Sequence, residues 1–222
     1  VANQIPNTIR FCALRAARLD TTTLAPVASA TAGYTSHQQI ECSISPQYDS
    51  QDEVVVKNGC GQIVMRLPAV MRLKGFDLGL QFAALEPALQ DILVGAATID
   101  DAGTPATLVG SSFPDQMGAS APDPPYAAIE GWAKAYINQN KPLPSPGPYV
   151  RWIFPAGQYR LDNSTLNNDA YTAAIAGSTE ANDSWPADGA FGDQPFVVGR
   201  QGGWMWDTTI PSDSAGAYVT IS

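Results

Sequence analysis

From Phe76 onward apolar residues fall at every second position (Phe76, Leu78, Leu80, Phe82), with Asp77, Gly79 and Gln81 between them. That alternation predicts a strand with one face on a core and the other wet. At Leu85 the period changes to that of a helix. Leu85, Leu89, Ile92 and Leu93 fall on one side, Pro87 opens the element and Gly95 closes it, which places a helix over about residues 86–94. A helix of about two or three turns is unstable alone in water. It is expected to dock its apolar stripe on the sheet that delivers it.

The rest of the chain reads mostly as strands. Ile9 to Leu19 is apolar with interspersed arginines and predicts a first strand, with a helix as the competitor because of its Ala and Leu. Gln38 to Ser45 alternates, with Ile40, Cys42 and Ile44 on one face and Gln39, Glu41 and Ser43 on the other. Pro46 to Gln62 is a long excursion with Asp52 and Glu53 at its tip and a turn at Asn58-Gly59. Asn-Gly is a strong hairpin signal, and Val54–Lys57 and Ile63–Leu67 are the expected arms. Ala96 to Pro125 shows no sustained period and reads as a long loop. Ile129 to Ile137 returns to strand character, with Trp132 and Tyr136 on one face. After a proline-rich turn, Tyr149 to Pro155 is the most strand-like stretch. From Arg160 the tail reads as an irregular extension with short strands at Phe196–Val198 and Ala217–Ile221. No internal repeat or domain boundary emerges, so residues 1–222 read as one mainly β domain with one short flanking helix and long loops.

Charge narrows the function classes. The chain carries a net charge of −9 with only 15% charged residues. No basic stripe exists to displace counterions from a nucleic-acid backbone, although an acidic protein passes near DNA without gripping it. The three cysteines, Cys12, Cys42 and Cys60, have no metal-ligand spacing. They read as buried thiols of a protein made in a reducing cytoplasm, with a Cys42–Cys60 bridge as the alternative. No secretory leader and no bilayer-length apolar run are visible, so no membrane is expected as a partner.

Candidate chemistry is sparse. The single histidine, His37, reads as a loop residue beside the second strand and not as the base of a Ser-His-Asp triad. Asp183 to Asp193 offers oxygen ligands without the spacing of a calcium loop. The acidic pairs Asp52-Glu53 and Asp100-Asp101 are sequence neighbours, which does not supply the face-to-face separation of a glycosidase pair. Gly199 to Gly203 lacks the strand-to-helix context of an anion loop and reads as a turn. No catalytic residue, cofactor site or metal site is therefore predicted.

The run Lys57-Asn58-Gly59-Cys60-Gly61 followed by Leu73 to Gly95 resembles the major tail tube proteins of actinobacteria-infecting siphophages. That family has a K-N-G-x-G hairpin, a strand of L-x-L-x type and a D/E-P-x-L-x-x-L-L-x-G helix. Glu86, Pro87, Leu89, Leu93 and Gly95 match the helix, with Ile92 and Val94 as conservative variants. Residues 132–137 and 149–155 look like the family's two aromatic strands, and the likeness spans most of residues 9–200. Phe82 and Ala83 stand where the family usually has a cysteine, and the tail has no clear counterpart.

The resemblance implies a β-sandwich or partial barrel flanked by a helix, six copies to a ring, and rings stacked into a hollow virion tail tube through which DNA is ejected. The implied partners are further copies of the chain, the tape measure protein and transiting DNA in the lumen, and the tail terminator and distal tail proteins at the ends. On it, Glu41, Asp77 and Gln81 face the lumen, Leu85, Leu89, Ile92 and Leu93 pack the helix on the sheet, and Asp52, Glu53, Lys57, Asn58 and Gly59 form a subunit-contact hairpin. Two other readings stand beside it. One is another virion part, a terminator or decoration protein. The other is a carbohydrate-binding β-sandwich using Trp132, Trp152, Trp185, Trp204 and Trp206 as stacking platforms.

Overall fold

The β-branched and aromatic runs become strands, and the one helical period becomes the single helix among the described residues. The computed structural model describes residues 7–27, 29, 32–84, 86–101, 103, 108–113, 123–138, 141–142, 147–163, 165–166, 171–185 and 199–211. In chain order the elements are β1 (Asn7–Arg18), β2 (Gly33–Ser36), β3 (Gln39–Gln51), β4 (Val54–Lys57), β5 (Ile63–Leu67), β6 (Val70–Phe82) and α1 (Pro87–Val94). They continue as β7 (Ala97–Asp100), β8 (Leu108–Ser112), β9 (Tyr126–Asn138), β10 (Lys141–Pro142), β11 (Tyr149–Leu161), β12 (Thr165–Leu166), β13 (Tyr171–Thr179) and β14 (Gly203–Asp207). The fold is mainly β with one short helix, as the sequence predicts.

The main sheet runs β2-β1-β9-β11-β13-β6-β3, with β14 added to β11 and each of these pairings antiparallel. Its two edges, β2 and β3, are joined by a tight corner at His37-Gln38, and β1 touches β3. The sheet therefore curls back on itself without closing into a barrel. One face surrounds a core of Leu14, Leu78, Leu80, Phe82, Ile129, Phe154, Tyr159 and Ile175, onto which Leu89, Ile92 and Leu93 of α1 pack. The helix sits over β11, β1 and β2. Pro87 occupies its first turn, and Gly95 ends it at φ 74°, a left-handed conformation that costs glycine nothing. The Arg18 guanidinium holds the helix end, reaching the Asp91 carbonyl and carboxylate at 2.9 Å each.

The opposite face carries a buried ionic group. Glu130 of β9 is 0% exposed and lies between two arginines. Arg15 Nε donates to one carboxylate oxygen at 2.6 Å and Arg151 donates to the other. Both guanidiniums lie over the Trp132 ring, at 5.2 and 5.1 Å, and the indole N–H donates to Asp207 at 2.9 Å. This group laces β1, β9, β11 and β14 together. A smaller apolar cluster of Leu19, Ala128, Ile153 and Trp185 lies beside it.

Several expectations are corrected. The tail from Arg160 is not simply irregular, since β13 lies in the middle of the main sheet between β11 and β6. β11 runs on past Pro155 because Pro155 and Ala156 form a bulge between Phe154 and Gly157, a place where a missing N–H is tolerated. Buried Asn182 fastens that bulge, donating to the Pro155 carbonyl at 2.9 Å. The 96–125 loop contains the β7–β8 hairpin. A bulge at Ile40 turns that side chain outward and places Gln39 inward instead. The expected strands Phe196–Val198 and Ala217–Ile221, and Leu85 of the helix stripe, lie outside the described residues. Cys42 and Cys60 are both thiols, with Cys60 exposed rather than buried, so the Cys42–Cys60 bridge is not formed.

Candidate assembly surface

The most unusual surface is an arm that grows from the sheet edge. β3 and β6 pair along their whole length, but every residue from Ser45 to Lys74 is exposed. An extra residue at Lys74 shifts the register between Gln47 and Tyr48, at the level where β13 ends. Such a bulge bends and twists a ribbon, here away from the body. Farther out the β3–β6 ladder stops and the β4–β5 ladder begins, with Asp52-Glu53 facing Pro68-Ala69 across the gap. Asp52 and Glu53 thus stand at the waist of the arm and not at its tip, and Glu53 accepts from Arg66.

The tip is Asn58 to Gln62. The Asn58 side chain closes it, accepting from the amides of Cys60 at 3.0 Å and Gln62 at 2.9 Å and donating to the Gln62 side chain at 3.0 Å. The left-handed residue is Gly61, at φ 80°, and not Gly59. The turn is therefore wider than the two-residue Asn-Gly turn the sequence suggests, although both arms of the hairpin fall where predicted.

Alternation sorts the arm's side chains. Val54 pairs with Leu67 and Val56 with Met65, so one face of the β4–β5 ladder is wholly apolar. Tyr48, Met71 and Leu73 share one face of the outer β3–β6 ladder by the same rule. Exposure on these faces reaches 51% at Leu67 and 70% at Met71. A contiguous apolar surface of this kind marks an interaction site, and a two-stranded ribbon without cover is marginal in water.

The residues expected to face a lumen do share a surface. Glu41 pairs with Gln81, which pairs with Ala174, and Ser45 pairs with Asp77, which pairs with Ser178. Glu41, Asp77 and Gln81 are all exposed. Asp77 accepts a hydrogen bond from the Gln47 side chain at 2.5 Å. Between those rows runs Arg160–Ala176–Gly79–Ser43, so a guanidinium stands on the same wet face as the two carboxylates. Sequence reasoning missed Arg160 because it missed β13, which carries the row across. Behind this face, burial and the neighbouring Glu41 push the Cys42 thiol up to about 11, and burial raises the Tyr159 phenol well above its usual range.

Other candidate chemistry stays dispersed. Trp132 and Trp185 are buried, Trp152 and Trp206 are half-buried, and Trp204 is exposed with its ring edge-on to Trp206 at 6.1 Å. Among the described residues no group of three or more His, Cys, Asp or Glu is placed to hold a metal ion. Most of the 183–193 segment lies outside the described residues. Among the described residues no helix is long and apolar enough to cross a membrane. No protein-family model and no curated protein matches the chain.

Proposed function

We propose that this chain is a non-catalytic structural virion protein, the subunit of a hollow phage tail tube built of stacked hexameric rings. The observation that carries the reading is the arm: from Ser45 to Lys74 the chain builds two ladders and buries none of their side chains. Such a ribbon gains stability only when something else covers it, and identical copies are the simplest cover. The hairpin resemblance at Lys57–Gly61 and the docked α1 stripe agree with that reading. On it the wet face of Glu41, Asp77, Gln81 and Arg160 lines the bore. Its mixed, mostly polar character gives passing DNA little to grip, the opposite of a counterion-releasing surface. The tape measure protein occupies the same bore before ejection, and terminator and distal tail proteins close the ends. Electron microscopy of the purified full-length chain tests this. Stacked rings with an open bore support the tube; a solitary ring points to a terminator, and particles without a bore contradict it.

A further inference from the structure

The main sheet divides where the arm leaves the body. On the side of β11 away from β9, two strands lie end to end: β13 beside Gly157–Leu161 and β14 beside Tyr149–Ile153. β6 pairs with β13 only as far as Asp77, then continues outward to Val70. Among the described residues, β14 is paired on its β11 side alone and Val70–Leu73 on its β3 side alone. A side chain just before β14 bridges the two segments: Gln201 Nε2 donates to the Leu73 carbonyl at 3.3 Å. Among the described residues no ladder joins β14 to Val70–Leu73, which leaves a slot with an unpaired strand edge on β14. Trp204, 43% exposed, stands on β14.

A free strand edge flanked by apolar side chains takes an added strand, whose main-chain hydrogen bonds give affinity. We propose that this slot is the acceptor for the β4–β5 arm tip of a second copy of this chain. The inference rests on the assembly reading and adds where the arm goes. Three observations favour a second copy as the occupant. The five residues of β14 match the five of β5. The arm points away from its own body, since none of residues 45–74 is covered. From residue 46 to Asn58 it reaches about 40 Å at roughly 3.3 Å per residue, beyond the radius of gyration of about 17 Å expected for a domain this size. Charge also agrees. Residues 46–74 hold Asp49, Asp52 and Glu53 against Lys57, Arg66, Arg72 and Lys74, a net +1, which leaves −10 for the rest of the chain. Arm and slot are different surfaces of one molecule, so the contact is head-to-tail. Such contacts propagate into rings or open filaments and do not stop at a dimer.

The test uses two full-length variants, Met65→Lys on the arm and Trp204→Lys on the slot, both at exposed positions. Thermal unfolding confirms that each variant folds. Analytical ultracentrifugation then reads assembly. The expected result is polymer for the unaltered chain, monomer for each variant alone, and a discrete heterodimer on mixing, because one intact arm then meets one intact slot. Polymer from Trp204→Lys overturns the slot assignment while leaving the tube reading in place. Two folded monomeric variants that fail to pair on mixing also overturn it. An unaltered chain that stays monomeric at every concentration overturns the assembly reading itself.

Discussion

The body and the arm are made of the same strands and treat their apolar residues in opposite ways. β6 crosses from one to the other. Leu78, Leu80 and Phe82 are buried, whereas Val70, Met71 and Leu73 are exposed. The body satisfies its own hydrophobic pattern by curling around α1, and it neutralises Glu130, the one fully buried carboxylate among the described residues, with Arg15 and Arg151. The arm has equal β propensity and no cover. Strand formation and burial are thus separate decisions: alternation and β-branching set the first, and available neighbours set the second. On the proposed assembly, an arm that forms strands without burying them meets a neighbour outside its own chain.

Substitutions separate the two regions, beginning with the largest effect on the isolated monomer. Glu130→Ala leaves two buried guanidiniums without their carboxylate and is expected to cost about 3–5 kcal/mol, read by urea unfolding. Leu93→Ala opens a cavity between α1 and the sheet and is expected to cost about 2–5 kcal/mol in the same measurement. Val56→Asp, on the apolar face of the arm, is expected to change monomer stability by no more than about 1 kcal/mol while abolishing self-association by light scattering. A loss like that of Leu93→Ala would mean that the arm is packed in the monomer, and the contrast would fail.

The thiols extend the contrast to pH. Cys42 keeps its proton in the folded state up to about 11, against 9.0 for an unperturbed thiol. The unfolded chain therefore loses that proton first as pH rises, so this contribution to stability is full below pH 9 and declines toward pH 11. Cys42→Ser should flatten that part of the stability–pH curve. At pH 8 a thiol reagent should label the exposed Cys60 of the native chain well before Cys42.

What the sequence made legible follows the strength of local signals. Val54–Lys57 and Ile63–Leu67 are read to the residue because β-branched runs flank a turn, and α1 because proline and glycine bracket a helical period. β13 was not legible: YTAAIAGST is rich in Ala and Gly and owes its place to the strands on either side. β11 extends past Pro155 because a bulge absorbs the proline, which no local rule predicts. Glu130 lies two residues from Trp132 in a segment that reads simply as a strand, and only the arrival of two arginines from β1 and β11 makes it a buried charge. At the candidate surface, Glu41, Asp77 and Gln81 were legible as a wet face from alternation alone. Arg160 and the β14 slot were not, since both depend on pairing between distant segments.

Hydrogen exchange measured on the full-length chain, first as dilute monomer and then as assembled material, tests the arm most directly. Backbone amides from Asp49 to Leu73 should exchange quickly in the monomer and slow by at least tenfold on assembly, while those of β9 and β11 stay protected throughout. Equal exchange of the arm in both samples, or an arm already protected in the dilute monomer, would contradict the account.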